Sequence, residues 1–235
     1  MKSLLVALLL LFSFSAHASE ELSLIDNLQK ANIGDYLVTS QNKCYTVLFL
    51  RERVQEGLIF DEVTVPSGKI VKSDWDGWKR WVEQRGPGHT CWVTYKIDIQ
   101  QARLTHTYSH TARSWVRADA QQQILSTLLN IRLNKIPEAS RKKRGASASN
   151  WSPPLVYEGN IVKNVPFSAW TTRWPKDGSQ LENQEVLVYL PRVDGPYPAY
   201  FPYWIQIRGK LNRASIRVID SGKGLQSPMP NPFVS

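Results

Sequence analysis

Between residues 90 and 99 the chain alternates strictly: Cys91, Val93, Tyr95, Ile97 and Ile99 take every second position, with Trp92, Thr94, Lys96 and Asp98 between them. A period of two sends successive side chains to opposite faces of an extended backbone, so this segment belongs in a sheet with one buried face. A hairpin partner is expected at residues 104–110. Upstream, residues 35–39, 44–50 and 58–65 are dense in β-branched and aromatic residues and are separated by polar turns such as Ser40-Gln41-Asn42-Lys43, which reads as an antiparallel meander. Downstream, residues 155–163, 167–174, 185–190, 203–208 and 214–219 read as five more short strands, with turns at Asp177-Gly178, Asp194-Gly195 and Gly209.

Three segments carry helical spacing instead. Ser19, Glu20 and Glu21 precede Leu22, Leu24, Ile25 and Leu28, an acidic first turn followed by an apolar stripe that Gly34 closes. Trp75, Trp78, Trp81 and Val82 share one helix face, with Asp76, Lys79, Arg80 and Glu83 opposite and a stop at Gly86-Pro87-Gly88-His89. Asp119 with Gln122 opens a third helix whose stripe is Ile124, Leu125, Leu128 and Leu129, and Pro137 ends that stretch. The fold class is therefore α+β, mainly antiparallel β, with a few short amphipathic helices.

Residues 1–18 read as a secretory signal peptide: Lys2, an apolar run from Leu4 to Phe14, then Ala16-His17-Ala18 before the cut. That run is shorter than the roughly 20 residues a membrane-spanning helix needs. The expected mature chain is soluble, periplasmic or secreted, and without a transmembrane span. Its N-terminal β-rich portion with helices covers 19–136. A basic, Pro- and Ser-rich linker or loop follows at 137–154, then a C-terminal β-rich portion at 155–222 and a flexible tail at 223–235 carrying three prolines.

Net charge is +9, or +8 once Lys2 is removed. A basic exported chain meets anionic lipid headgroups and acidic polymers before nucleic acid, so an anionic envelope surface or another envelope protein is the expected partner. Arg141, Lys142, Lys143 and Arg144 form a compact positive run suited to such a surface. Nucleic acid is not expected, because no aromatic residue is interleaved with this cluster for base stacking. Cys44 and Cys91 are the only cysteines, and in an oxidising compartment they are expected to form a disulfide.

Signals for chemistry are sparse. His106 and His110 project to one strand face, yet their neighbours are Thr, Ser and Arg, so no metal site is assigned. Asp61, Glu62, Asp74 and Asp76 are the acids from which a glycosidase pair would be drawn, and their places near turns and a helix start suit capping better. No Gly-x-Ser-x-Gly elbow, His-Glu-x-x-His, phosphate-cradling loop or dinucleotide fingerprint occurs, so no catalytic residue and no cofactor is expected.

Aromatic residues are abundant. The Trp75/Trp78/Trp81 stripe suits a helix packed on a sheet. In the segment 196–204, prolines forbid regular ladder pairing, so Tyr197, Tyr200, Phe201, Tyr203 and Trp204 are read as an irregular rim and as the candidate contact surface for a ligand or partner.

Trp174-Pro175-Lys176-Asp177, followed by the runs 185–190, 203–208 and 214–220, resembles the last hairpins of the periplasmic lipoprotein-carrier (LolA-like) family. That resemblance implies a curved antiparallel sheet, or half-barrel, lined by helices around an apolar groove. The leading expectation is a non-enzymatic exported binding protein for an apolar or lipid-like ligand at the cell envelope. The alternative is an envelope structural or interaction protein docking through the basic loop and the Pro/Tyr-rich turn, and a hydrolase built on His89 or on His106 and His110 ranks third.

Overall fold

The computed structural model describes residues 20–70, 75–117, 120–141, 151–192, 195–209 and 213–234. The expected signal peptide and Lys142, Lys143 and Arg144 lie outside them. In chain order the elements are β1 (Glu21–Ser23), α1 (Leu24–Leu28), β2 (Tyr36–Gln41), β3 (Cys44–Val54), β4 (Gly57–Pro66), α2 (Gly77–Glu83), β5 (Cys91–Asp98), β6 (Arg103–Ser109), β7 (Ser114–Val116), α3 (Ala120–Asn130) and β8 (Arg132–Ile136). There follow β9 (Leu155–Tyr157), β10 (Asn160–Val162), β11 (Phe167–Arg173), β12 (Glu185–Pro191), β13 (Trp204–Arg208) and β14 (Arg213–Gly222). Among the described residues no helix is long and apolar enough to cross a membrane.

Twelve strands form one antiparallel sheet in the order β1-β8-β11-β12-β13-β14-β2-β3-β4-β5-β6-β7, and β9 and β10 make a separate hairpin. The two β-rich portions meet where β14 pairs with β2, with Gly222 opposite Tyr36 and Ser221 opposite Leu37. The sheet does not close on itself, since β1 and β7 are both edges. It does curl. Phe60 of β4 lies 6.3 Å, ring to ring, from Tyr200 in the loop before β13, and inner-face residues of both portions, among them Leu50, Tyr95, Trp170, Val188 and Ile205, join one buried cluster.

Alternation along β3, β4 and β5 sorts the side chains. Leu50, Phe60, Tyr95 and Ile97 point to the inner face, where α1 supplies Leu24, Ile25 and Leu28 and α3 supplies Leu128 and Leu129. Val47, Phe49, Val63, Val65 and Trp92 point to the outer face and pack with Trp78, Trp81 and Val82 of α2 and with Leu225. Both faces of these strands are therefore covered, which is why residues 58–60 read as a continuous apolar run rather than a clean alternation.

Several elements depart from expectation. The run 155–163 is two strands: Glu158 (φ 48°) and Gly159 (φ 77°) supply the pair of positive φ values a tight two-residue hairpin turn needs. β8 follows α3 directly and is held by β1 on one side and β11 on the other. The tail at 223–234 crosses the outer face as an ordered strap. Its Leu225 amide donates to Gly34 O at 3.0 Å, and Asn231 Nδ2 donates to Glu52 Oε2 at 2.6 Å.

The seam between β14 and β2 depends on a missing side chain. A Cβ on Gly222 would fall 2.3 Å from Tyr36 Oη, and Tyr36 is itself buried. Gly222→Ala is expected to lower stability by about 1–3 kcal/mol through overpacking, read from the urea midpoint. A midpoint unchanged from the parent would mean that the ring yields freely and the seam is not tightly packed.

Candidate functional site

The outer face holds a buried polar cluster centred on Asp61, a fully buried carboxylate in the middle of β4. A carboxylate removed from water costs several kcal/mol unless donors surround it. Here they come from three sources. Arg51 Nη1 on β3 lies 3.5 and 3.4 Å from the two oxygens, Trp92 Nε1 on β5 donates to Oδ2 at 3.3 Å and Thr94 Oγ1 donates to Oδ1 at 2.5 Å. The strap adds Ser227 Oγ, which donates to Oδ2 at 2.5 Å. Arg51 then reaches along the strap, donating from Nη1 to Ser227 Oγ at 3.2 Å and from Nη2 to Met229 O at 2.6 Å.

His110 completes the cluster, its Nε2 2.8 Å from Thr94 Oγ1. A carboxylate only accepts, so the Thr94 hydroxyl spends its proton on Asp61 and accepts from His110, which places the imidazole proton on Nε2. Burial holds the His110 imidazole below its ordinary value; Arg51 pushes the same way and Asp61 opposes. The arrangement has the residue types of a catalytic triad without its geometry: the Ser227 hydroxyl is spent on a carboxylate, with no imidazole beside it to accept its proton. Its chemistry is that of a clamp that ties strands and strap together.

Asp61 and Glu62 cannot form a glycosidase pair, because adjacent strand residues face opposite sides of the sheet. Glu62 points inward, in register with Leu48 and Val93, and burial raises its carboxyl. Asp76 pairs at the surface with Arg80 at 3.1 Å, and Asp74 lies outside the described residues. His89 caps its turn, Nδ1 2.9 Å from Gly86 O. His106 and His110 share the outer face but take different neighbours: His106 packs beside Trp115 and Phe233. No group of three or more His, Cys, Asp or Glu side chains gathers for a metal among the described residues.

The Cys44–Cys91 disulfide is not present, and both thiols are free. Cys44 on β3 sits opposite Pro66 and Cys91 on β5 sits opposite Thr64, with β4 between them. Two strand spacings, about 9.6 Å, exceed the roughly 7 Å that a disulfide's Cα atoms span. Burial and Glu62 also raise the Cys91 thiol, which lowers its nucleophilicity at neutral pH.

The expected aromatic rim is largely interior. Tyr197, Tyr200 and Tyr203 are buried and Phe201 and Trp204 half-buried. Tyr203 Oη donates to Pro198 O at 2.9 Å and Tyr200 Oη to Asp35 O at 3.3 Å. Residues 196–202 do stay out of the ladder, whereas Trp204 opens β13 opposite Tyr189 and Arg217, and the rings turn inward to cap the curled sheet. Tyr197 and Tyr200 border a small cleft of about 100 Å³ shared with Lys30, Asp35 and Lys223. Arg141 is likewise buried rather than free for an anionic surface; its Nη1 donates to Phe167 O at 2.5 Å, and Nη2 approaches Glu138 at 3.4 Å.

Two outer features escaped the sequence reading. A half-open cleft of about 270 Å³ lies between α2 and the following turn, bordered by Lys69, Trp75, Arg80, Trp81, Gln84 and Pro87. At the far edge of the sheet, Trp115 of β7 stands 54% exposed, 5.3 Å from the Tyr108 ring and 5.4 Å from Phe233 of the strap. Its three-residue strand carries no periodic signal.

With this geometry in view, comparison with known proteins is informative about family. A profile of the CT021 protein family matches residues 46–163, half of the chain. The chain belongs to the CT021 protein family. The match runs from β3 through β10 and contains Arg51, Asp61, Trp92, Thr94, His110 and Trp115, whereas Ser227 and Phe233 of the strap lie beyond it. The solved structure of the hypothetical protein CT021 from Chlamydia trachomatis superposes with a TM-score of 0.67, over 92% of this chain and 100% of that chain, at 18% identity. At that identity the likeness establishes a shared fold. No curated protein matches. The antiparallel β fold implied by the lipoprotein-carrier resemblance is present, while the family these comparisons support is CT021.

The clamp makes stability depend on pH. Since His110 binds its proton less readily folded than unfolded, its contribution is complete above the ordinary imidazole value near 6.5 and declines as pH falls below it. Asp35 and Asp220, raised by burial, have the opposite sign: they favour the fold at low pH and lose that effect as pH rises through their folded values. Comparison of the wild type with His110→Gln isolates the first effect. The urea midpoint of the wild type is expected to drop from pH 7.5 to 5.5 by more than that of the variant, and equal drops would remove His110 as the cause.

Proposed function

We propose that the protein is an exported, non-catalytic binding protein of the bacterial envelope that docks its outer surface against a partner rather than enclosing a ligand. One observation carries this reading: space and exposure both lie outside. A drug-sized ligand needs a pocket of about 300–1,000 Å³, and the acyl chains of a lipoprotein need more. The cleft beside Tyr197 and Tyr200 is about 100 Å³ and the one beside Trp75 about 270 Å³, while a hollow of about 410 Å³ along Asp76, Lys79, Glu83 and Gln84 is a wide-open charged surface of α2 rather than an enclosure. Meanwhile the inner face, where a carrier would hold its cargo, is filled by α1, α3 and the residues around Tyr200. Among the described residues, the large apolar side chains left exposed on the twelve-stranded sheet are Trp115 and Val116 of edge strand β7, and Trp115 is the one on the outer side.

Export and envelope residence rest on the sequence of residues 1–18 and on the basic charge. The test is cell fractionation of the full-length precursor expressed in its host, with native mass spectrometry of the recovered mature chain. Docking predicts loss of the leader, recovery in the particulate envelope fraction at low salt, and a mass equal to the polypeptide alone. A stoichiometric lipid adduct would return the carrier reading in its place. Recovery wholly in the soluble periplasm at low salt would count against docking, and retention of the leader in a cytoplasmic protein would overturn export.

A further inference from the structure

Covering of the outer face stops before its last strand. α2 lies over β2 to β5 through Trp78, Trp81 and Val82, and the strap crosses β3 and β4 at Arg51 and Asp61 before ending beside β7 at Phe233. Beyond it, Trp115 is 54% and Val234 66% exposed. The Trp115 ring is braced by Tyr108, by Phe233 and, at 6.3 Å, by His106. The two nearer braces are themselves held. Tyr108 sits in the ladder opposite both Thr94 and Trp115, and Phe233 belongs to the strap fixed by Ser227 on Asp61.

Arg113 and Arg117 flank Trp115 two residues away on either side, both exposed. Among the described residues neither forms an ion pair, although Arg80, Lys135, Arg192 and Arg208 each have a carboxylate partner. Two exposed guanidinium groups beside an exposed indole and the exposed Val234, on a chain of net charge +9, ask for a surface that is anionic outside and apolar just beneath. A polyanion such as an acidic glycan meets only the first demand. A bilayer leaflet meets both, since indoles settle at the headgroup level and arginines pair with lipid phosphates.

We propose that the outer side of the β7 edge, Trp115 with Phe233 and Val234 between Arg113 and Arg117, is a membrane-surface docking site whose occupant is a leaflet containing anionic phospholipid. The site rests on the docking reading above and names its partner. Bracing of Trp115 means that its rotamer freedom is already lost in the free protein, so insertion costs little further entropy. Attraction from the arginines falls with ionic strength, and insertion of the indole and Val234 does not.

The experiment is co-sedimentation of the mature chain with vesicles of phosphatidylglycerol and phosphatidylcholine, with pure phosphatidylcholine vesicles and soluble dextran sulfate as comparisons. Binding to the anionic vesicles is expected. It should weaken about fivefold for each of Arg113→Ser and Arg117→Ser and at least about tenfold for Trp115→Ala, with part surviving 0.5 M salt only where Trp115 is intact. Because the indole is exposed, Trp115→Ala should melt with the wild type, and its circular dichroism checks this. Equal binding by Trp115→Ala, or tighter binding to dextran sulfate than to vesicles, would overturn the membrane assignment. A wild type that fractionates with the envelope but ignores these vesicles would leave the docking reading standing and this partner refuted, whereas a wild type soluble in cells would strike at the docking reading itself.

Discussion

Asp61 is the constraint to which the outer half of the molecule answers. A carboxylate in the middle of a strand buried on both faces is tolerated only when fully ligated. No single element supplies enough donors: β3 gives Arg51, β5 gives Trp92 and Thr94, and the chain's last segment gives Ser227. The consequence reaches past the cluster, because the strap fixed there also seats Leu225 among Val47, Phe49, Val63 and Trp92. Without the strap those side chains would be partly open to water. A polar centre thus organises an apolar layer.

With the outer layer in place the sheet is covered on both faces, and this shifts where function can reside. A curled sheet with one solvated concave face is a carrier's geometry; here that face holds α1, α3 and the Tyr200 and Tyr203 rings. The aromatic wealth of the sequence is spent mainly on the two layers. What remains is the margin of the sheet, where β7 is three residues long and each of its residues is exposed. Short edge strands limit unwanted pairing with other chains, so a partner that approaches this margin meets side chains more than backbone.

Much of the fold was legible in the sequence because its strands obey local rules. The alternation of Cys91, Val93, Tyr95 and Ile97 gave β5 its inner face, and Trp78, Trp81 and Val82 marked the buried side of α2. What stayed hidden depends on distant partners. β8 has one deeply buried position, Leu133, and follows a helix without a breaker; it is a strand because β1 and β11 hold it. The strap's three prolines suggested disorder, since proline cannot join a ladder, but this segment is held by side chains reaching its carbonyls and hydroxyls, as in Arg51 to Met229 O. The turn at Glu158-Gly159 is masked in the sequence because its glycine lies inside an otherwise strand-like run. The clamp left a signal too: an acid at a core-facing position beside Ile59, Phe60 and Val63 requires a buried cation, and Arg51 interrupts the apolar alternation of the neighbouring strand.

Clamp and edge are also mechanically joined, which explains why a surface feature this small holds its shape. Ser227 and Phe233 lie six residues apart on one strap, the first anchored to Asp61 and the second packed on Trp115. Between them Arg51 holds Met229 O and Glu52 holds Asn231, so the slack in the segment is small. From the other side the same two points are connected through the sheet: Thr94 bonds Asp61 and lies in register with Tyr108, which lies in register with Trp115. Two independent paths, one along the strap and one across the ladder, fix Phe233 and Tyr108 on either side of the indole. An exposed tryptophan on a three-residue edge strand would otherwise lose its rotamer to solvent, and the buried carboxylate is what prevents it.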